Sequence, residues 1–447
     1  MRRQIGIGKD RLRDQSHRLA ICLRPFTLVV ALTFFACITT GTAEANEPLA
    51  ATPTMPITGV SVPELKALDQ ALTALMAKHA LLAGQVAVSK NGRLVYNRGF
   101  GFADKERKVP VQPTHLFRIA SVTKPITAVA IMGLFQEGKL KLDDKAFTLL
   151  KNLKPAPGAK IDKRLNQITV RNLLEHSGGW TWNHGDQQQI YLRAAADAFR
   201  ERRPASAVAI IRYTMGQPLD FDPGTRSVYS NFGYNVLGRI IETLTGKSYG
   251  QYIKQKVLAP AGIKDMELGH TRPKDQRPNE VHYDDGADAS TGWSVFEDEQ
   301  FGVTNSYGAD YSLEAFDAHG GWLATAEDLV KFLCAVDGRG PRQQLLKPET
   351  IKIMTERPTI SQDKDKPTYY AKGWNVDPDK GIWTHAGALA YGTSSVIYRL
   401  PDGVNIAAVF NHLPKDLEAY FKELGEETVI KTIGNVRSWP TTDLFTR

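Results

Sequence analysis

Cysteine is scarce in this chain: Cys22, Cys37 and Cys334 are the three in 447 residues. Two of them fall in the first 45 residues. A lone Cys334 makes neither an internal disulfide nor a cysteine-based metal site. Leu329, Phe332 and Leu333 precede it at helical spacing, so it reads as a small buried hydrophobe. Long apolar runs are also lacking, since the stretch from Phe26 to Ile38 is too short to span a bilayer. No block of like charge forms a basic arm, which excludes nucleic-acid binding.

What the first residues do contain is an export pattern. Arg2, Arg3, Lys9, Arg11, Arg13, Arg18 and Arg24 precede the apolar stretch, and Ala43-Glu44-Ala45 follows it as a small-residue cleavage site. Residues 1–45 are therefore expected to be a signal peptide, with the product periplasmic or extracellular and not held in a membrane. A lipoprotein start at Cys37 fits less well, because Phe34, Phe35 and Ala36 precede it. Removing this segment takes away 7 of 56 Lys and Arg and 3 of 48 Asp and Glu. That leaves 49 against 45, a net charge of +4 in place of +8.

Residues 46–60 are rich in Pro, Thr and Ala and read as a linker, and 436–447 as a C-terminal tail. Between them, Ser61-Val62-Pro63-Glu64 has the form of a capping box, and Leu65, Leu68, Leu72, Leu75 and Met76 give the helix behind it one apolar face. Val86–Lys90 and Arg93–Asn97 flank Asn91-Gly92, a strong hairpin signal. Near the other end, Thr393–Leu400 and Val404–Asn411 flank Pro401-Asp402-Gly403, and a helix with Leu417, Tyr420, Phe421 and Leu424 on one side follows. A lone hairpin is marginal in water, so the two are expected to join in one antiparallel sheet with the terminal helices on one face. The fold class is α+β, one domain over 61–435. Its sheet part covers about 61–119 and 366–435, and an inserted, mostly helical part covers about 120–365.

Phe117-Arg118-Ile119-Ala120-Ser121-Val122-Thr123-Lys124-Pro125 sits at the seam, followed by apolar Ile126–Leu134 and by Gly138 as a stop. Ser121 reads as a helix cap and Pro125 as a first-turn residue. Spacing i to i+3 brings the Lys124 amine to the Ser121 hydroxyl, and burial near a helix start favours the neutral amine. A serine beside such a base is activated without histidine. Taken alone, Ser-x-x-Lys is frequent by chance, and an ordinary N-cap beside an exposed lysine is the competing reading. A second copy, Ser361 to Lys364, lies in a polar run and reads as a loop. Gly246-Lys247-Ser248-Tyr249-Gly250 has the form of a nucleophile elbow but follows an amphipathic helix, so Gly246 reads as a C-cap and Ser248 as the next N-cap.

With Ser121-Val122-Thr123-Lys124, Tyr229-Ser230-Asn231 and Trp383-Thr384-His385-Ala386-Gly387 in this order, the chain resembles the serine β-lactamase and penicillin-binding superfamily. The branch it resembles holds class C β-lactamases, family VIII carboxylesterases and D-aminopeptidases. Leu173-Leu174-Glu175-His176-Ser177-Gly178-Gly179, the run from Pro223 to Gly238, and Ala324–Leu329 are similar to stretches of that branch. The resemblance implies a β-lactamase/transpeptidase-like fold and an acyl-enzyme on Ser121. It implies proton transfer by Lys124 and by a Tyr229 whose pKa the lysine lowers, and substrate contacts from Asn231, His385 and Gly387. The oxyanion is expected on the Ser121 and Ala388 amides.

His385-Ala386-Gly387 departs from the Lys-Thr-Gly usual in the lactamases. A neutral imidazole and a methyl group remove a cation and a hydroxyl from the expected carboxylate anchor. Uncharged ester, amide or peptide-like substrates therefore fit better than anionic β-lactams. The alternatives are a β-lactamase or D-Ala-D-Ala-type peptidase, and a non-catalytic cell-wall binder. The polar, Gly-rich stretch 271–319 reads either as a wall of the cleft or as a packed surface excursion. His282, Asp284 and Asp285 lack a convincing ligand set, so no metal and no cofactor are expected.

Overall fold

The computed structural model describes residues 55–446 except 185, 187, 287–290, 300, 310, 361–364, 390 and 391. The expected export segment and the second Ser-x-x-Lys lie outside the described residues. Thirteen strands are present among them. They are β1 (Ile57–Gly59), β2 (Ala83–Lys90), β3 (Arg93–Gly101), β4 (Phe117–Arg118), β5 (Glu267–Leu268), β6 (Thr291–Trp293) and β7 (Phe301–Thr304), then β8 (Trp322–Ala324), β9 (Tyr369–Tyr370), β10 (Asn375–Asp377), β11 (Ile382–Leu389), β12 (Thr393–Arg399) and β13 (Val404–Phe410).

The two hairpins join as the sequence predicts. Antiparallel β13 lies on β2, with Val404 opposite Lys90 and Phe410 opposite Gly84, at the centre of an eight-stranded sheet ordered β1-β3-β2-β13-β12-β11-β10-β9. Asn91 and Gly92 turn the first hairpin with φ of +52° and +76°, which Asn and Gly tolerate. Side chains alternate across the sheet. Val86, Val88, Ile406 and Ala408 join the terminal-helix core, and Ala87, Ala407 and Val409 face the other way.

Helix α1 (Lys66–Lys78) and the closing helix α6 (Leu417–Lys422), continued by wider turns to Ile430, cover the first face. Leu68, Leu72, Met76, Tyr420 and Leu424 are fully buried there, each leucine contributing about 1.5–3 kcal/mol. The other face meets α2 (Thr123–Gln136) and α5 (Ala326–Val336), the latter fixed by a hydrogen bond from the Ala326 amide to Gln85 Oε1 at 3.0 Å. Helix α4 (Asn231–Thr245) packs against α2 and against α3 (Val170–Leu174).

Four readings change. Residues 57–59 of the expected linker form edge strand β1, because their backbone pairs with Arg98–Phe100. Ser61 caps nothing: a tight turn at Pro63–Leu65 opens α1, with Val62 before it and Pro63 at its first position. The expected tail is packed, since Asp443 Oδ1 accepts from the Leu94 amide at 3.0 Å and Trp439 joins the terminal-helix core. The mostly helical part also carries the short sheet β4-β8-β5 and the hairpin β6–β7. Gly246 ends α4 at φ +67° and Ser248 opens the next helix with a capping box, so no nucleophile elbow forms there. Cys334 is buried beside Ser89 and Asn405, and burial raises its thiol pKa.

Candidate active site

Strand β4 delivers the chain to the site. Its Arg118 is fully buried and donates to the carbonyls of Ser306, His270 and Thr271 and to the Tyr311 hydroxyl, with Glu280 Oε1 3.4 Å from Nε. The guanidinium also lies 4.1 Å from the Tyr283 ring centroid. Stretch 271–319 is thus bolted to the strand that leads into the nucleophile turn. Of its two readings, the packed excursion describes this anchored half.

Ala120 then takes φ +45°, a left-handed conformation that costs a non-glycine residue about 1–3 kcal/mol and is held here by its surroundings. A tight turn at Ala120–Val122 precedes α2, so the helix starts at Thr123, one residue later than a Ser121 cap implies. Neither Ser121 nor any other side chain caps that start. The hydroxyl of half-buried Ser121 instead faces Lys124, whose Nζ is 3.0 Å away.

Lys124 is fully buried and has two further partners, Asn231 Oδ1 at 2.8 Å and the His319 carbonyl at 3.0 Å. As an ammonium it donates to all three. As a free amine it has two N–H groups and one lone pair, and the carbonyl-type partners take the two hydrogens. The lone pair is left for the Ser121 O–H. Burial lowers the Lys124 pKa to about 7, with the Asp186 carboxylate opposing.

Asn231 is the first residue of α4, and Ser230 caps that helix by accepting from the Gly233 amide at 3.1 Å. Asp186 closes the same helix end, its two oxygens accepting from the Asn231 and Phe232 amides at 2.9 and 2.8 Å. Tyr229 stands just outside the cap. Its ring exposes 45% of its surface, lies 4.7 Å from Lys124 Nζ, and its phenol is hydrogen-bonded to Ser121. Burial of the hydroxyl end raises the Tyr229 pKa, the Ser121 bond opposes, and Asp186 adds to the rise. The expectation that Lys124 lowers it is overturned, because desolvation of the phenol outweighs the opposing hydrogen bond. Tyr229 is a neutral phenol.

Strand β11 closes the other side. Beyond Thr384 it extends past its β10 pairing, and a Cβ on Gly387 would lie 2.4 Å from the Ile119 carbonyl and 3.1 Å from the Ser121 amide nitrogen. Only glycine lets the strand approach that turn so closely. Ser395 of β12 donates to the same Ile119 carbonyl at 2.7 Å. Ala388 follows on the strand, half-buried. His385 is buried on the Gly387 side, its Nδ1–H donating to the Ala386 carbonyl at 2.7 Å and its Nε2 accepting from Tyr370 at 3.1 Å. Burial and then Lys124 hold its pKa down to about 3, so it is neutral.

Ala386, by contrast, points to the opposite face. It lines a groove of about 480 Å³ with Thr384, Val396, Tyr398 and Phe421, under the closing helix. A threonine hydroxyl there would face away from Ser121.

Ser121, Lys124, Tyr229 and Asn231 are joined by hydrogen bonds, the His385 ring lies 6.4 Å from that of Tyr229, and Gly387 abuts the Ser121 turn, with Ala388 next on the strand. Sequence reasoning assigned no role to Asp186, His176, Tyr234, Tyr370 or the His319 carbonyl. None carries a motif of its own, since Asp186 lies in a loop and Tyr370 follows a polar run. His176 lay within a recognised stretch without a function. No group of three or more His, Cys, Asp or Glu suited to a metal occurs among the described residues, and none of their helices is long and apolar enough to cross a membrane.

The family model described as Beta-lactamase matches residues 68–424. Protein flp of Staphylococcus aureus strain MW2 is 24% identical over 372 residues, covering 81% of this chain and 66% of the relative's length. The serine beta-lactamase-like protein LACTB, mitochondrial, of Mus musculus is 26% identical over 416 residues, covering 74% of this chain and 71% of that one. The D-amino acid amidase of Ochrobactrum anthropi SV3 superposes with a TM-score of 0.62 at 23% identity, over 84% of this chain and 100% of that one.

Proposed function

The chain belongs to the Beta-lactamase family, and from that premise we propose that it is a serine hydrolase that cleaves uncharged ester or amide bonds through an acyl-enzyme on Ser121. The observation that carries this reading is the Lys124 environment. A fully buried amine with two acceptor partners turns its remaining lone pair to a serine hydroxyl 3.0 Å away.

As Ser121 Oγ attacks the carbonyl carbon, its proton passes to Lys124 Nζ. The oxyanion settles on the Ser121 and Ala388 amides. When the intermediate collapses, the leaving oxygen or nitrogen takes a proton from the Tyr229 hydroxyl, which is refilled from Lys124. Water then attacks the acyl carbon, gives its proton to the same pair, and Ser121 leaves with one. Asn231 holds Lys124 and faces the substrate carbonyl.

Substrate charge follows from the side chains that line the floor. Lys124 spends its charge on proton transfer, and the imidazoles of His176, His319 and His385 are all held neutral by burial. A substrate carboxylate would find no permanent cation among these residues. Esters and amides without one lose nothing, which favours them over anionic β-lactams. An amidase reading draws support from the D-amino acid amidase that shares the fold.

The test is release of p-nitrophenolate from short acyl esters, with a chromogenic cephalosporin in parallel and Ser121→Ala as control. Ester turnover that disappears in Ser121→Ala, with slow cephalosporin cleavage, is expected. Turnover surviving that substitution removes Ser121 as nucleophile. No turnover of any ester, amide or lactam favours the non-catalytic binder.

A further inference from the structure

The loop that bears Tyr229 has no regular secondary structure of its own, yet its phenol must be held against Ser121. The residue that fastens it is His176, just past the end of α3. The His176 carbonyl accepts from the Val228 amide at 2.9 Å, and its Nδ1 accepts from the Ser230 amide at 3.1 Å. The backbone on both sides of Tyr229 is thus tied to one residue. Between the two ties, the His176 ring lies 4.4 Å from the Tyr229 ring, centroid to centroid.

His176 is itself over-determined. Its φ is +56°, a region few non-glycine residues adopt, and it is 2% exposed. Tyr370 stacks on it at 4.3 Å and Tyr234 at 5.2 Å. Its neighbour Glu175 forms a buried ion pair with Lys372, 2.8 Å from oxygen to nitrogen, two residues past Tyr370. The Glu175 carbonyl accepts from Ser227 Oγ at 3.0 Å, and the Ser177 carbonyl from the Gly224 amide at 2.8 Å. Three successive residues therefore fasten the approach to Tyr229. His176 Nε2 has no hydrogen-bond partner among the described residues. With Nδ1 accepting, the ring's one proton sits on that Nε2, and burial keeps the ring neutral.

We propose that His176 is a positioning residue for Tyr229: it clamps the backbone on either side of the tyrosine and backs its ring, setting the phenol at the distance proton transfer to the leaving group requires. This rests on the reading of Tyr229 as the proton relay. Only a ring nitrogen without hydrogen can serve the Ser230 amide, so an uncharged histidine is part of the device. The Glu175–Lys372 pair ties the residue before His176 to the segment that carries Tyr370.

Three substitutions separate the parts. His176→Ala removes the acceptor and the ring. His176→Phe keeps a ring without the acceptor. His176→Asn keeps an acceptor at the Nδ1 position and tolerates positive φ, but loses the ring. With a p-nitrophenyl ester, His176→Ala and His176→Phe are expected to lower kcat by about thirtyfold or more with KM within about threefold, because a misplaced catalytic group costs rate more than binding. His176→Asn is expected to recover kcat to within about fivefold of the parent. In a Tyr229→Phe background, His176→Ala is expected to add less than about threefold, because the group it places is gone.

Parent-like kcat in His176→Ala overturns the proposal, as does equal loss in the Asn and Phe variants or full multiplication of losses in the double variant. If His176→Ala does not fold, the Asn and Phe comparison decides, with melting temperature measured on each. Parent-like kcat in Tyr229→Phe would instead overturn the reading of Tyr229 and the clamp with it. That outcome is distinguishable, because it appears without any change at 176.

Discussion

In the proposed mechanism, Lys124 sets the pH at which the enzyme works. With its pKa at about 7, about half of the molecules carry the free amine at pH 7, whereas a lysine at the ordinary 10.5 would leave about one in three thousand. The expected kcat/KM for a neutral ester rises about tenfold per pH unit below 7 and levels off above about 8. The groups facing Lys124 do not blur this limb. His176, His319 and His385 are neutral through the range, and Tyr229 stays a phenol. Asp186 supplies the perturbation. Its carboxylate raises the lysine pKa, so Asp186→Asn moves the limb to lower pH.

Stability carries the same signature. Between pH 7 and 10.5 the unfolded chain holds a proton on Lys124 that the folded chain has lost. This residue's contribution to stability therefore rises with pH across that window, by at most about 1.4 kcal/mol per pH unit, and Lys124→Met removes the slope. Stopped-flow or plate assays across pH 5 to 10, in buffers of matched ionic strength, read the limb. A profile centred near 10, a flat profile, or an upward move in Asp186→Asn would refute the assignment of Lys124 as the base.

Three further substitutions test the walls of the cleft. Gly387→Ala drives a Cβ to 2.4 Å from the Ile119 carbonyl, so it is expected to cost about 1–3 kcal/mol in thermal unfolding and most of the kcat, measured with the same esters. His385→Lys restores a cation beside the cleft and should improve binding of a carboxylate-bearing cephalosporin by about tenfold in inhibition assays, the effect of one charge-assisted hydrogen bond. Arg118→Met leaves Glu280 buried without its partner, and chemical denaturation should show a loss of about 3–5 kcal/mol, with earlier proteolysis within 271–319.

Local rules made much of this molecule legible before its structure. The hairpins at Asn91-Gly92 and Pro401–Gly403, the joined sheet, the cap at Ser248 and the stop at Gly246 all follow from turn and capping chemistry. Strand β1 was hidden because three edge residues in a Pro-rich stretch have no alternation to read. Ser121 misled as a cap because the left-handed Ala120 inserts a tight turn ahead of α2, a tertiary effect with no local signal. The facing of Ala386 follows from alternation along β11 once Gly387 is known to face Ser121. The clamp at His176 needed three segments at once, α3, the Tyr229 loop and β9, which no window of sequence contains.

The proposed mechanism requires Ser121 to act as a nucleophile. Incubation with a fluorophosphonate ester followed by intact mass and peptide mapping tests it directly. One adduct per chain on Ser121, absent from Ser121→Ala and forming at a rate that climbs with pH to a midpoint near 7, is the expected result. No adduct, or an adduct on another serine such as Ser248, would contradict it.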